Sequence, residues 1–127
     1  MRRLIITADD YGMSRAVNDA IDAGIDAGLI TTTNVMTNMP LYKEAKKLKG
    51  KAGISVGIHW VLACGTPILP AHEIPSLVGS NGEFYPYPEF RNRLRKKLIS
   101  FASSFRHFMI ISELSPNSHR QPFFRLC

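Results

Sequence analysis

Arg3-Leu4-Ile5-Ile6-Thr7-Ala8-Asp9-Asp10-Tyr11-Gly12 decides how the rest of the chain is read: an aliphatic run from Arg3 to Ala8 stops at two aspartates, a tyrosine and a glycine. A short apolar run bounded by turn formers is the pattern of a buried strand entering a loop. Outward from it, Ser14 is placed to cap a helix in which Ala16, Val17, Ala20, Ile21, Gly24, Ile25 and Gly28 recur at three-and-four spacing. Asp19, Asp22 and Asp26 fall on other faces of that helix. Thr31 to Thr37 is β-branched and predicts a second strand, closed by Asn38-Met39-Pro40 because proline cannot continue a ladder. Leu41 to Leu48 predicts a lysine-rich helix, and Ile54-Ser55-Val56-Gly57-Ile58-His59-Trp60 a third strand.

The order is βαβαβ, so the fold class is α/β with parallel strands, as a sheet or a barrel. Functional groups then gather at the strands' C-terminal ends. Asp9, Asp10, Asn38 and His59 all fall there. Val61 to Pro88 turns to glycine, proline and polar residues and is expected to form a long loop beside the site. A third helix is predicted over Pro88 to Ser103. After Ser104 no element is predicted, and that tail reads as poorly ordered.

The chain has 127 residues, 45% of them hydrophobic and 20% charged. No apolar run approaches the ~18 residues of a membrane span. The length suits one modest domain and falls short of the ~250 residues of a complete enzyme barrel, so a barrel reading makes this chain part of one. Charge is uneven: residues 1–89 carry a net −1 and residues 90–127 a net +7. A neutral body with a basic end argues against a nucleic-acid-binding module, for which the cluster Arg91-Asn92-Arg93-Leu94-Arg95-Lys96-Lys97 is the only support. That cluster reads instead as a solvated helix face over an apolar stripe of Phe101, Phe105 and Phe108. Cys64 and Cys127 make neither a disulfide framework nor a thiolate zinc site, and no secretory apolar segment opens the chain; the expected compartment is the cytoplasm.

Adjacent carboxylates disfavour double ionisation unless a cation or donor compensates them, so Asp9-Asp10 invites a metal. The plainer alternative is that one aspartate caps the next helix while the other faces water. His59 offers a partner across the strand ends, with a backbone-satisfied core histidine as its own plain reading. Aspartate plus histidine can hold zinc or another divalent ion, and a neighbouring carboxylate can remove a proton from water; this is metal-assisted hydrolysis. Three protein ligands are usual for a catalytic zinc, and spacing supplies only Asp10 and His59. Asn38 and Tyr11, flanking the same strand ends, are candidates to contact a substrate. His72 and His107 have no partner at a ligand spacing, and Trp60 reads as a packing residue. A receiver-like, magnesium-binding signalling domain shares the acidic pair but needs an aspartate at the end of strand three, where this chain has His59.

Leu4 to Ser14, Asn18, Gly28 to Met36, Asn38-Met39-Pro40, Val56-Gly57-Ile58-His59, Ile74 to Val78 and Gly82-Glu83-Phe84-Tyr85 together resemble the YdjC-like, ChbG-type carbohydrate deacetylase family. The resemblance runs from about residue 3 to about residue 99. It implies the N-terminal part of a divergent (β/α) barrel of the glycoside hydrolase/deacetylase type. The activity it implies is removal of acetyl groups from N-acetylated sugars such as chitooligosaccharides, with a divalent metal, magnesium or zinc. By the same resemblance Asp9 is the general base, and Asp10 and His59 are metal ligands. The partner is a small carbohydrate, with no nucleic acid and no membrane, and self-association is a possibility because a partial barrel leaves strand edges unpaired.

The chain departs from the family in lacking a later Asp-Ser-His-x-His-like strand motif. Asn117-Ser118-His119 echoes it only faintly. Together with the charge jump, this predicts a partial deacetylase domain over 1–99 followed by a divergent basic tail over 100–127, as in a truncated product of weak or no activity.

Overall fold

The structure, a computed structural model, describes residues 4–104. Expectations about His107, His119, Cys127, Phe105, Phe108 and the tail beyond residue 104 fall outside the described residues.

Along the chain run β1 (Thr7–Tyr11), α1 (Arg15–Asp26), β2 (Thr32–Val35), a 3-10 helix (Tyr42–Leu48), β3 (Ser55–Ile58), a short 3-10 turn (Ala71–Glu73) and α2 (Tyr87–Arg95). The three strands form one sheet in the order β1-β2-β3, with both pairings parallel. The alternating α/β order expected from the sequence is therefore present, with a small parallel sheet.

Helix α1 starts where Ser14 adopts an extended conformation and its hydroxyl accepts from the Val17 N–H at 3.3 Å, satisfying one orphan donor of the first turn. It ends at Asp26, and Gly28, at a φ of 71°, lets the backbone reverse so that the Leu29 N–H reaches the Gly24 carbonyl at 2.9 Å. Its inner stripe, Ile21 and Ile25, packs with Tyr11, Val35, Ala45 and Leu48 into the main core, flanked by Ala8, Val17, Ile30, Tyr42, Ile54 and Val56. One sheet face is thus covered by α1 and the 3-10 helix, as the period-two alternation of the strands requires.

A second apolar cluster, Ile74, Leu77, Val78 and Phe84, organises the long loop after β3 and is flanked by Leu62, Leu69, Phe90 and Ile99. The loop is therefore a packed unit, closed by an antiparallel bridge between Val78 and Phe84. Such self-packing is how a long connection stays ordered without regular elements.

Five elements differ from expectation, among them the second strand, which is Thr32–Val35 rather than Thr31 to Thr37. The first strand is Thr7–Tyr11 rather than Arg3 to Ala8, because pairing with β2 continues through the two aspartates, while Leu4, Ile5 and Ile6 stand exposed. The lysine-rich helix is a 3-10 helix, capped by no side chain. The third strand is the shorter Ser55–Ile58, ending before His59. The third helix ends at Arg95, with Lys97 at a φ of 56°, rather than running to Ser103, and it buries none of its residues. Phe101, the one member of the expected apolar stripe among the described residues, is exposed. No helix among the described residues is long and apolar enough to cross a membrane.

Candidate active site

A bulge in β1 builds the site. Ala8 pairs with Thr33 and Tyr11 with Val35, so β1 carries one residue more than β2 over the same stretch. The surplus falls at Asp9-Asp10, and Asp10 takes a left-handed φ of 69°, a conformation aspartate tolerates better than most residues at a cost of order 1 kcal/mol. The extra residue lets Ala8 and Tyr11 both face the core, although they are three positions apart. Asp9 is left beside Asn34, whose side-chain amide donates to Asp9 Oδ1 at 2.6 Å. In β3 Gly57 pairs with Asn34, and His59, two residues on, is held at the strand end by its N–H to the Val35 carbonyl at 2.9 Å. The imidazole thereby reaches Asp10: Nδ1 stands 3.1 Å from Asp10 Oδ1.

The turn after Asp10 is clamped from α1. Asn18, fully buried, accepts from the Gly12 N–H at 2.7 Å and donates to Glu44 Oε2 at 2.9 Å. Glu44 in turn pairs with Arg15 at 2.8 Å. The Asn18 hydrogen bond, followed by the charges of Arg15 and Lys47, holds the Glu44 carboxyl below its ordinary value of 4.5. A carboxylate whose folded pKa is depressed contributes stability that is present above its unfolded pKa and is lost as pH falls through the folded one. Acid denaturation of the wild type is therefore expected to include a component below about pH 4.5 that Glu44→Gln removes. Equal acid slopes for the two chains, measured by urea midpoints at successive pH values, would contradict the clamp.

Asp10 and His59 fit a divalent cation by their chemistry. His59 Nδ1 is a buried nitrogen with no aligned hydrogen bond, despite the nearby Asp10 oxygen. A 3.1 Å separation lets both atoms lie at the roughly 2.0–2.2 Å that zinc takes from imidazole nitrogen and carboxylate oxygen. Among the described residues no group of three or more His, Cys, Asp or Glu converges as a metal cage, so these residues supply two donors and not three.

The structure thus brings Asp9, Asp10 and His59 to the C-terminal end of the parallel sheet, with Asp10 and His59 in contact across it. Asn38 lies at the adjoining end of β2, where its side-chain amide donates to the Cys64 carbonyl at 2.9 Å and ties the long loop to the site. Tyr11 requires a correction: it is fully buried in the main core, with its hydroxyl 3.3 Å from Asp22 Oδ1, so it does not face the carboxylate–imidazole pair. The bulge is the reason, since it turns Tyr11 inward to oppose Val35. Two residues quoted above only as part of the family pattern have structural roles that the sequence did not assign, Asn18 and Asn34. Asn18 occupies the same helical stripe as Ile21 and Ile25, and a polar residue on an apolar stripe signals a buried partner. Asn34 is an amide within a β-branched strand, which signals the same.

Parallel strands whose C-terminal ends carry two carboxylates and an imidazole define an α/β protein with a candidate strand-end site. More particularly, the chain belongs to the YdjC-like protein family, whose model matches residues 3–108. It is 43% identical over 84 residues to a carbohydrate deacetylase of Geobacillus stearothermophilus, covering 65% of this chain and 33% of that protein. It is 36% identical over 113 residues to a carbohydrate deacetylase of Clostridium beijerinckii, covering 78% of this chain and 45% of that protein. The chain therefore spans between a third and a half of the length of these relatives. Its fold is similar to the crystal structure of a protein described as a cellobiose-phosphate cleavage protein from Enterococcus faecalis V583, at a TM-score of 0.75 and 25% identity, over 93% of this chain and 45% of that one.

Proposed function

We propose that this chain carries part of the active site of a metal-dependent deacetylase of N-acetylated sugars, on the N-terminal strands of a (β/α) barrel. The observation that supports this most is the approach of His59 Nδ1 to Asp10 Oδ1 at 3.1 Å, beside Asp9. The names of the relatives, carbohydrate deacetylases, supply the substrate class.

In this reading Asp10 and His59 would hold a divalent ion, zinc or magnesium, which would supply Lewis acidity when bound. Asp9 takes the proton from the attacking water as general base. Asn34, 3% exposed, occupies one Asp9 oxygen with its 2.6 Å hydrogen bond and leaves the other for the proton. The two carboxylates have different partners, Asn34 for Asp9 and His59 for Asp10, which suits a division of labour in which one holds the ion and the other transfers the proton. Neutral sugar is the partner. The exposed Leu4, Ile5 and Ile6 beside the β1 edge favour association between copies.

The test is calorimetric titration of the 127-residue chain with zinc and with magnesium. Asp10→Ala and His59→Ala are each expected to abolish binding, while Asp9→Asn retains it. Unchanged affinity in His59→Ala removes that residue from the site, and loss in Asp9→Asn with retention in Asp10→Ala exchanges the two aspartate roles. With two donors where catalytic zinc ordinarily has three, acetate release from chitobiose by this polypeptide alone is expected to stay near background. Sustained turnover would show that the chain itself completes the site.

A further inference from the structure

The hairpin bridged by Val78 and Phe84 turns at its tip through Gly79-Ser80-Asn81-Gly82-Glu83, and Asn81-Gly82 is the one Asn-Gly pair in the chain. Such a pair carries a chemistry of its own. Glycine has no side chain to shield its nitrogen, so that nitrogen can approach the side-chain amide carbon of the asparagine before it. The other five asparagines are followed by Asp19, Val35, Met39, Arg93 and Ser118, each with a side chain in the way. Asn81 also stands in the open at the hairpin tip, whereas Asn18 and Asn34 are buried.

Hydrogen bonds set the reactivity of the tip. The Glu83 N–H donates to Asn81 Oδ1 at 3.1 Å, the Asn81 amide donates to Glu83 Oε2 at 3.0 Å, and the Gly82 N–H donates to the Gly79 carbonyl at 3.0 Å. The first of these aims a donor at the oxygen on which negative charge grows when the amide carbon is attacked, and so eases the attack. The last occupies the proton of the attacking nitrogen, so attack waits for that bond to open. Little opposes the opening: a Cβ at Gly82 meets nothing within 4 Å, and the exposed tip lies outside the apolar cluster that buries Val78 and Phe84. Exposed backbone hydrogen bonds at loop tips open at small cost without unfolding the rest.

We propose that Asn81 is a site of spontaneous deamidation, whose conversion turns its contact with Glu83 from attractive to repulsive and loosens the hairpin. The Gly82 nitrogen gives its proton to hydroxide and bonds Asn81 Cγ; the Cγ–Nδ2 bond breaks, and the nitrogen leaves as ammonia with a proton from water. Water then opens the cyclic imide. Cleavage at Cγ leaves aspartate, and cleavage at the Asn81 main-chain carbonyl leaves isoaspartate with a methylene added to the backbone. Either product sets a carboxylate where an amide had donated to Glu83 Oε2, and like charges so close disfavour each other.

The test is incubation of the 127-residue chain at neutral and at mildly alkaline pH, followed by peptide mass mapping and enzymatic methylation of isoaspartate. The Asn81 peptide is expected to show the amide-to-acid mass change ahead of every other asparagine peptide. Its rate should rise roughly tenfold per pH unit, as for a nitrogen titrating far below its pKa. The guanidinium-unfolded chain should convert faster than the folded one, because the Gly82 N–H is then released from the Gly79 carbonyl. Asn81→Asp should lower the urea midpoint, and Glu83→Gln added to it should restore the midpoint. Another asparagine converting first, a rate independent of pH, or equal rates in folded and unfolded chains would overturn the site as described. An unchanged midpoint in Asn81→Asp, or one that Glu83→Gln fails to restore, would overturn the loosening.

Discussion

Gly12→Ala is expected to destabilise the fold by roughly 3 kcal/mol or more, a large share of the ~5–15 kcal/mol by which domains are held. Gly12 sits at a φ of 102°, where a side chain is strained, and a Cβ there would lie 2.9 Å from Tyr42 Cα and 3.2 Å from the Met36 carbonyl oxygen. Both neighbours are backbone and cannot swing aside. The displaced atoms are also those that close the Asp10 turn, since the Gly12 N–H is bound by Asn18 and its carbonyl receives the Leu41 N–H at 3.1 Å. Gly50→Ala is the control: its φ is 78°, yet a Cβ there meets nothing within 4 Å, so only backbone strain is added. Urea midpoints should separate the two variants clearly, and equal midpoints would show that the Gly12 contact is not tight.

Tyr11→Ala is expected to cost about 3–5 kcal/mol, the usual range for deleting a buried aromatic ring, and to leave little folded protein. Tyr11 is fully buried at the centre of the main core, between α1 and the sheet. Tyr11→Phe keeps the ring and loses the hydroxyl with its contacts to Asp22 at 3.3 and 3.4 Å and to Lys47, so it should fold with a penalty of about 1 kcal/mol. The pair also has a pH signature. Burial, reinforced by the Asp22 charge, pushes the Tyr11 pKa from 10.0 up to about 12. A group whose folded pKa is raised contributes stability that is present below its unfolded pKa and is lost as pH rises through the folded one. Wild-type stability is therefore expected to decline between about pH 10 and pH 12, with that component absent in Tyr11→Phe. Identical alkaline profiles would contradict the burial.

The βαβαβ order, the Ser14 cap, the Gly28 stop and the convergence of Asp10 with His59 were all legible as patterns, because each follows from local spacing or from the rule that parallel strands share their C-terminal ends. The bulge at Asp9-Asp10 was not. A one-residue surplus depends on the register with β2, which no property of β1 alone encodes, and missing it placed Tyr11 at the site instead of in the core. The roles of Asn34 and Asn18 were hidden for a related reason: each bonds a partner far away in sequence, Asp9 at 25 positions and Glu44 at 26, and only the fold shows that Asn18 also bonds the nearer Gly12. The clustering of Ile74, Leu77, Val78 and Phe84 within the long loop was likewise hidden, since a glycine- and proline-rich stretch shows no periodicity even when it packs.

The shared cation at Asp10 and His59 is tested most directly by nitrogen NMR of the histidine rings during zinc titration, with the His59 signals assigned by loss in His59→Gln. The His59 Nδ1 resonance is predicted to shift on zinc addition, and the shift is predicted to vanish in Asp10→Ala. An Nδ1 signal that does not move, or that moves equally in Asp10→Ala, would mean that the imidazole and the carboxylate do not hold one ion between them.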